Sequence, residues 1–305
     1  MEGVTLLDDL PALRRPVLIA AFEGWNDAGE SASLALDVIR SSLDADPLAV
    51  IDAEEFFDFQ AVRPMVRLDA HGGRIIDWPE NRFWTASSPA GDRDLVFLDG
   101  VEPNLRWRTF TDGIVELAER LGVELLVTLG ALQVDVPHTR AVPLTVSTQT
   151  PELAERLDLS IGSYEGPTGI TGVLHAAASA VALPAVSVWA GVPHYLASSA
   201  YLPGALALAE RVSTLVGAEL PLGDLARDAA RQADDIAELV ASDEDLTDYV
   251  GELEDRFGPT PLRDLADSPP DRASLPRDPD DLPEAVDGDA IADELERFLR
   301  DRKDR

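Results

Sequence analysis

The sequence predicts an α/β fold, with a central mainly parallel or mixed sheet flanked by helices. Three observations carry that expectation. Short continuous apolar runs alternate with segments of helical spacing through the first two-thirds of the chain, polar turns separate them, and a 45% hydrophobic content suits a large core.

The elements follow in order. Val17 to Phe22 is a continuous apolar run, the mark of a strand buried on both faces. After the turn Glu23-Gly24-Trp25-Asn26-Asp27, apolar residues at Ala28, Ala32, Ala35, Leu36 and Ile39 take helical spacing. Leu48 to Ile51 reads as a strand ending at Asp52, and Arg74–Trp78 with Arg82–Thr85 read as a strand pair or meander around Pro79-Glu80-Asn81. Asp94 to Leu98 is a strand whose exit, Asp99 to Asn104, reads as a turn. A helix from Trp107 to Leu121 stops at Gly122. Leu125 to Leu132, the most apolar run, is assigned to the sheet centre. Strands at Val142–Ser147 and Ala185–Ala190 alternate with an alanine-rich helix at Thr168–Leu183 and a helix at Gly204–Val216.

These units make an α/β domain over residues 1–220. A helical hairpin over 221–258 is predicted by apolar stripes at Leu222, Leu225, Ala229, Ala233, Ile236 and Val240, then at Leu246, Val250, Leu253 and Phe257. A Pro- and Asp-rich linker is expected over 259–287, followed by a terminal amphipathic helix over 288–305 on Ile291, Leu295, Phe298 and Leu299.

Composition excludes several function classes. The 305 residues hold 57 acidic and 25 basic side chains, a formal charge of −32, which disfavours nucleic acid and anionic membranes as partners. No apolar run is long enough for a bilayer and the start lacks a basic signal region, so a soluble, cytoplasmic chain is expected. With no cysteine, disulfides, thiolate metal sites and cysteine nucleophiles are out. The one lysine, Lys303, lies outside the folded body, which removes a P-loop or Schiff-base lysine. No metal-ligand spacing, nucleophile elbow or cofactor fingerprint occurs, so no metal and no cofactor are expected.

Ligands of open α/β sheets bind beyond the carboxyl ends of strands, so chemistry is sought there. Asn26 and Asp27 read either as helix caps or, with Glu23 and Trp25, as the polar rim and aromatic wall of a pocket. In Tyr164-Glu165-Gly166-Pro167-Thr168-Gly169, free N–H groups before a helix offer an anion or oxyanion site, with Glu165 as base and Thr168 as cap. The other reading is a tight loop seating the helix. His138 and His194 each follow an apolar strand through a Val-Pro-His tripeptide, and parallel neighbouring strands would place both at one edge. His175 reads as packed, and His71 as a turn residue.

Six ordered motifs together resemble the PAC2, or proteasome assembly chaperone, family in its actinobacterial branch. They are Phe22-Glu23-Gly24-Trp25-Asn26-Asp27-Ala28-Gly29, Trp78-Pro79-Glu80-Asn81-Arg82, Glu102-Pro103-Asn104-Leu105-Arg106-Trp107, Val136-Pro137-His138-Thr139-Arg140, Tyr164 to Ile170, and Val192-Pro193-His194-Tyr195. The resemblance implies a phosphorylase/hydrolase-like fold, frequent self-association and protein partners such as proteasome subunits. Archaeal relatives dock through a C-terminal hydrophobic–Tyr–any tripeptide. This chain ends Lys303-Asp304-Arg305, so that mode of docking is not expected.

Two functions follow. One is a non-enzymatic interaction or assembly-chaperone-like protein. The other is a small-molecule hydrolase or transferase. Its candidate catalytic groups are Glu165, His138, His194 and Asp27, with Glu23, Trp25, Asn26, Arg140, Thr168 and Gly169 binding the ligand. Convergence of these side chains on one concavity discriminates the two.

Overall fold

The computed structural model describes residues 2–88, 91–197 and 199–257. The expected linker and terminal helix, 259–287 and 288–305, lie outside the described residues.

The strands are β1 (Val4–Leu6), β2 (Val17–Glu23), β3 (Asp46–Ile51), β4 (Met65–Leu68), β5 (Arg74–Asp77), β6 (Asn81–Ala86), β7 (Leu95–Val101), β8 (Leu125–Val134), β9 (Leu144–Thr148), β10 (Ser160–Ile161) and β11 (Ala185–Pro193). The helices are α1 (Ser31–Ser42), α2 (Ala53–Phe56), α3 (Trp107–Leu121), α4 (Pro151–Leu157), α5 (Ile170–Ala180), α6 (Leu202–Val216), α7 (Gly223–Ala241) and α8 (Glu244–Phe257). Nine strands form one mixed sheet in the order β1-β3-β6-β7-β2-β8-β11-β9-β10. Its centre, β7-β2-β8-β11, is entirely parallel, whereas β1, β3, β6 and β9 pair antiparallel.

Side chains alternate across a strand, so each central strand feeds two cores. Val17, Ile19 and Ala21 of β2 point into a layer built with α1, α6, α7 and α8. Leu18, Ala20 and Phe22 point into the opposite layer, with α2, α3 and α5, where Phe110 stacks edge-on with Phe56 at 5.3 Å between ring centres. A strand with both faces covered is apolar at nearly every position, which is why β2 from Val17 to Phe22 and the first half of β8 are apolar, with Thr128 as the one polar side chain, held by His175.

α3 ends at Gly122, whose φ of 70° is left-handed, and its N–H bonds back to the Glu119 carbonyl at 3.0 Å. α7 and α8 form the predicted hairpin, joined through Asp243, whose carboxylate accepts from the Leu246 N–H at 3.1 Å. The hairpin also serves the body. Gln232 of α7 accepts from the Leu202 N–H at 2.9 Å, satisfying a free donor at the start of α6, and donates to the Ala200 carbonyl at 2.7 Å.

Two readings of the sequence are corrected. β5 and β6 do not pair with each other: β6 sits in the main sheet between β3 and β7, while β5 pairs with β4 in a separate two-stranded hairpin. The cause is local. Asp69 closes the β4–β5 turn, accepting from the His71 and Gly73 N–H groups at 2.8 Å, whereas β6 presents Phe83 to the core. Residues 99–101, read as a turn, extend β7 because β6 supplies partners as far as Gly100.

Candidate functional site

The four parallel strands deliver their carboxyl ends to one edge: β2 at Glu23, β7 at Val101, β8 at Val134 and β11 at Pro193. These strand ends and the loops that follow hold every candidate side chain named from the sequence except those of the 162–169 loop, which reach the edge through α5.

Asn26 is 1% exposed and joins three elements. Its carbonyl accepts from the Ala131 N–H of β8 at 2.8 Å, its side-chain amide donates to Glu102 Oε1 at 2.8 Å, and its Oδ1 accepts from Thr171 Oγ1 at 3.5 Å. The same Glu102 oxygen accepts from the Ile170 N–H at 2.8 Å. The helix start that the sequence offers as an anion site therefore holds the protein's own carboxylate, delivered from the exit of β7. Gly169 caps α5 without a side chain because a Cβ there would stand 2.4 Å from the Asn26 amide. Thr168 is exposed and donates to the Gly169 carbonyl at 3.4 Å; Glu165 is exposed as well.

Asp27 takes the cap reading. Its Oδ1 accepts from the Ala32 N–H at 2.6 Å, and its Oδ2 from the Ser33 hydroxyl at 2.5 Å. Burial raises its pKa, and the hydrogen bonds from Ser33 and Ala32 pull the other way. Nearby Glu23 is also raised, by partial desolvation and then by the charges of Asp27, Glu30 and Asp99.

The histidines form a second group. β8 and β11 are parallel neighbours, with Pro193 opposite Val134, so His138 and His194 do meet at one edge. Tyr195 lies between them: its hydroxyl accepts from the His138 N–H at 2.9 Å and lies 2.9 Å from His138 Nδ1. His194 Nδ1 stands 3.3 Å from Asp135, and its Nε2 3.2 Å from the Tyr249 hydroxyl of α8. Burial lowers the His138 pKa against an opposing pull from Glu254. α8 roofs this group, since Thr139 donates to Glu254 and Arg256 lies 3.9 Å from Asp135. Arg140 is half-buried, and its Nε has no partner among the described residues.

No side-chain hydrogen bond among the described residues joins the Asn26–Glu102 group to the histidine group. Among the described residues no set of three acidic or histidine side chains is placed to hold a metal, and no helix is long and apolar enough to cross a membrane. What the edge does present is apolar surface. Trp25 is 68% and Tyr164 74% exposed, with Leu105 and Leu132 also open.

Sequence reasoning missed Glu102, Tyr195, Asp135 and Tyr249 as site residues. Glu102 was within reach, because it follows a strand at the carboxyl edge. Tyr249 carries no local signal, since only the docking of α8 brings it to His194.

Residues 21–240 match the model of the PAC2 family. The chain belongs to the PAC2 family. Among solved structures it is similar to a PAC2 family protein of Streptomyces avermitilis, at 43% identity and a TM-score of 0.71, over 77% of this chain and 99% of that one. A Mycobacterium tuberculosis proteasome-assembly chaperone homologue follows at 41% identity and 0.70, with the same coverage. A Mycobacterium tuberculosis protein of unknown function matches at 30% identity and 0.77, over 84% of this chain and 91% of that one. No curated protein matches. The PAC2 match takes in the whole aromatic rim and ends at Val240, so α8 and its roof over the histidines lie beyond it.

Proposed function

We propose that this PAC2 chain is a non-enzymatic, assembly-chaperone-like interaction protein of the cytoplasm that docks a protein partner, a proteasome subunit, on the rim formed by Trp25, Leu105, Leu132 and Tyr164. One observation carries the reading: at the edge where an α/β enzyme would keep free catalytic groups, Asn26, Asp27 and Glu102 are bonded to the protein itself, while the large apolar side chains of Trp25, Leu105, Leu132 and Tyr164 stand in solvent beside the polar Glu23, Glu165 and Thr168. Asp27 caps α1, Glu102 caps α5, and His138 and His194 are engaged by Tyr195 and Tyr249. The name of the Mycobacterium tuberculosis homologue supports the choice of partner. Self-association belongs to the same reading and is supported by exposed Met65, Val66, Leu68 and Ile76 on the β4–β5 hairpin.

Native mass spectrometry of the chain, alone and mixed with proteasome α and β subunits from the same source, tests this. The expected result is a defined complex with one of the subunits that the Trp25→Ala, Tyr164→Ala double variant loses. At about 2 kcal/mol or more per buried aromatic anchor, its binding should fall at least tenfold while the fold is unchanged. A chain that ignores both subunits, or a double variant that binds as well as the parent, overturns the proposal.

A further inference from the structure

A groove of about 560 Å³ runs between α6, α7 and the entry to β9, beside the core that Val142, Leu144 and Leu206 pack against. It is lined by Val142 and Leu144, by Leu206 of α6, and by Ala226 and Ala230 of α7. Glu210 and Arg211 stand in it, and Arg211 Nε is buried with no hydrogen-bond partner among the described residues. Alanines on α7 leave room for a second helix to approach closely, and an apolar trough with an unanswered guanidinium in it is incomplete as a surface.

We infer that residues 289–300 of the same chain cover this groove, with Ile291, Leu295, Phe298 and Leu299 on the apolar trough and the acidic residues beside them facing Arg211. Three observations choose this occupant. First, the exit point is adjacent: Glu254 and Arg256 tie the last turn of α8 to Thr139 and Asp135, a few residues before the groove wall at Val142. Second, the reach suffices: residues 258–288 intervene, and a coil of that length spans about 30 Å. Third, the chemistry complements: Ile291, Leu295, Phe298 and Leu299 match the apolar lining of Val142, Leu144 and Leu206, and Asp293, Glu294 and Glu296 beside them suit Arg211, whose guanidinium has no carboxylate partner among the described residues. The inference concerns a different surface from the aromatic rim and does not depend on the docking reading.

The absence of cysteine makes the test direct, because introduced pairs have no competitors. In the full chain, Ala226→Cys, Ala230→Cys or Ala233→Cys is combined with Leu295→Cys or Phe298→Cys, oxidised, and run without reductant. A Leu68→Cys, Leu295→Cys pair on the β4–β5 hairpin serves as control. The expected result is a cross-linked monomer for at least one groove pair, formed about tenfold faster than the control because a seated segment has a high effective concentration. Arg211→Glu should slow it. Cross-linked dimers alone would assign the groove to a second copy, and equal rates at groove and control, or no cross-link, would show the segment unseated; each overturns the inference. As a second readout, a chain stopped after Asp287 should show faster hydrogen exchange over α6 and α7. Unchanged exchange counts against the inference in the same way.

Discussion

Asp27 shows how one residue is decided by the groups around it. A carboxylate this buried is costly, and desolvation pushes its pKa up, yet it answers the free N–H groups at the start of α1. Asp27→Ala should therefore cost about 1 kcal/mol in urea denaturation at neutral pH, whereas Asp27→Asn, which keeps an acceptor and sheds the charge, should lose little. Equal losses for the two would show that the cap oxygen contributes nothing. His175 gives a pH signature. Its Nε2 lies 2.7 Å from Thr128 Oγ1 under the sheet, and burial lowers its pKa from 6.5 to about 4. Between those values the unfolded chain binds the extra proton, so the His175 contribution is intact above about pH 6.5 and is lost as pH falls toward 4. The stability of the parent relative to His175→Gln should decline across that window, by up to about 1.4 kcal/mol per pH unit. Glu23, Asp27 and Asp99 act with the opposite sign, since raised carboxyls favour the native state as pH falls, so only the difference between the two chains isolates the histidine. A pH-independent difference would refute the assignment.

At the scale of elements, the α7–α8 hairpin is an integral layer of the molecule. Leu225, Ile236, Val240, Leu246, Val250 and Leu253 are buried in the same core as β2 and α1, and Gln232 completes the start of α6. α8 also closes the histidine group through Tyr249 and Glu254. Leu253 is 1% exposed, so Leu253→Ala should cost about 2–4 kcal/mol and lower the urea midpoint in a single transition. A separate early transition, or an unmoved midpoint, would mean that α8 docks weakly. The β4–β5 hairpin is the contrasting case. It stands outside the main sheet with Met65, Val66, Leu68 and Ile76 in water, held to the body where Trp78 meets Phe59 at 4.8 Å between ring centres. Two-stranded hairpins are marginal alone, so this element depends on the Trp78–Phe59 contact more than on its own ladder.

Over the whole molecule, charge is the dominant long-range feature. A formal charge of −32 repels itself, and among the described residues few carboxylates are both buried and paired. Asp94 is an exception: the Arg14 side chain bonds it at 2.7 Å and holds its pKa below the usual carboxylate range. Most other pairs, such as Arg67 with Asp77, lie in solvent and contribute little. Raising salt from about 0.02 to 0.5 M shortens the screening length several-fold and should raise the melting temperature, because it weakens more repulsion than attraction. A fall in melting temperature would show that surface ion pairs outweigh the repulsion. The same field disfavours acidic partners and favours encounter with a basic surface on any subunit that docks at the rim.

The α/β class, the buried character of β2 and β8, the span of α3 to its glycine and the two stripes of the α7–α8 hairpin were all legible in the sequence. Each is written in local periodicity, and a strand covered on both faces or a helix covered on one has no other pattern open to it. The motifs likewise identified the PAC2 family before any coordinates did. Pairing was not legible. β5 and β6 carry similar patterns, and only the closure of the Asp69 turn and the neighbours of Phe83 sent them to different sheets. Side-chain roles were open for the same reason. Asp27 as cap rather than acid, Glu102 as the anion at α5 and Tyr249 against His194 depend on which distant groups arrive within about 3 Å, and no spacing along the chain encodes that. The sequence determined what had to be buried; the tertiary structure decided which polar groups were spent in burying it, and so which side chains were left in solvent.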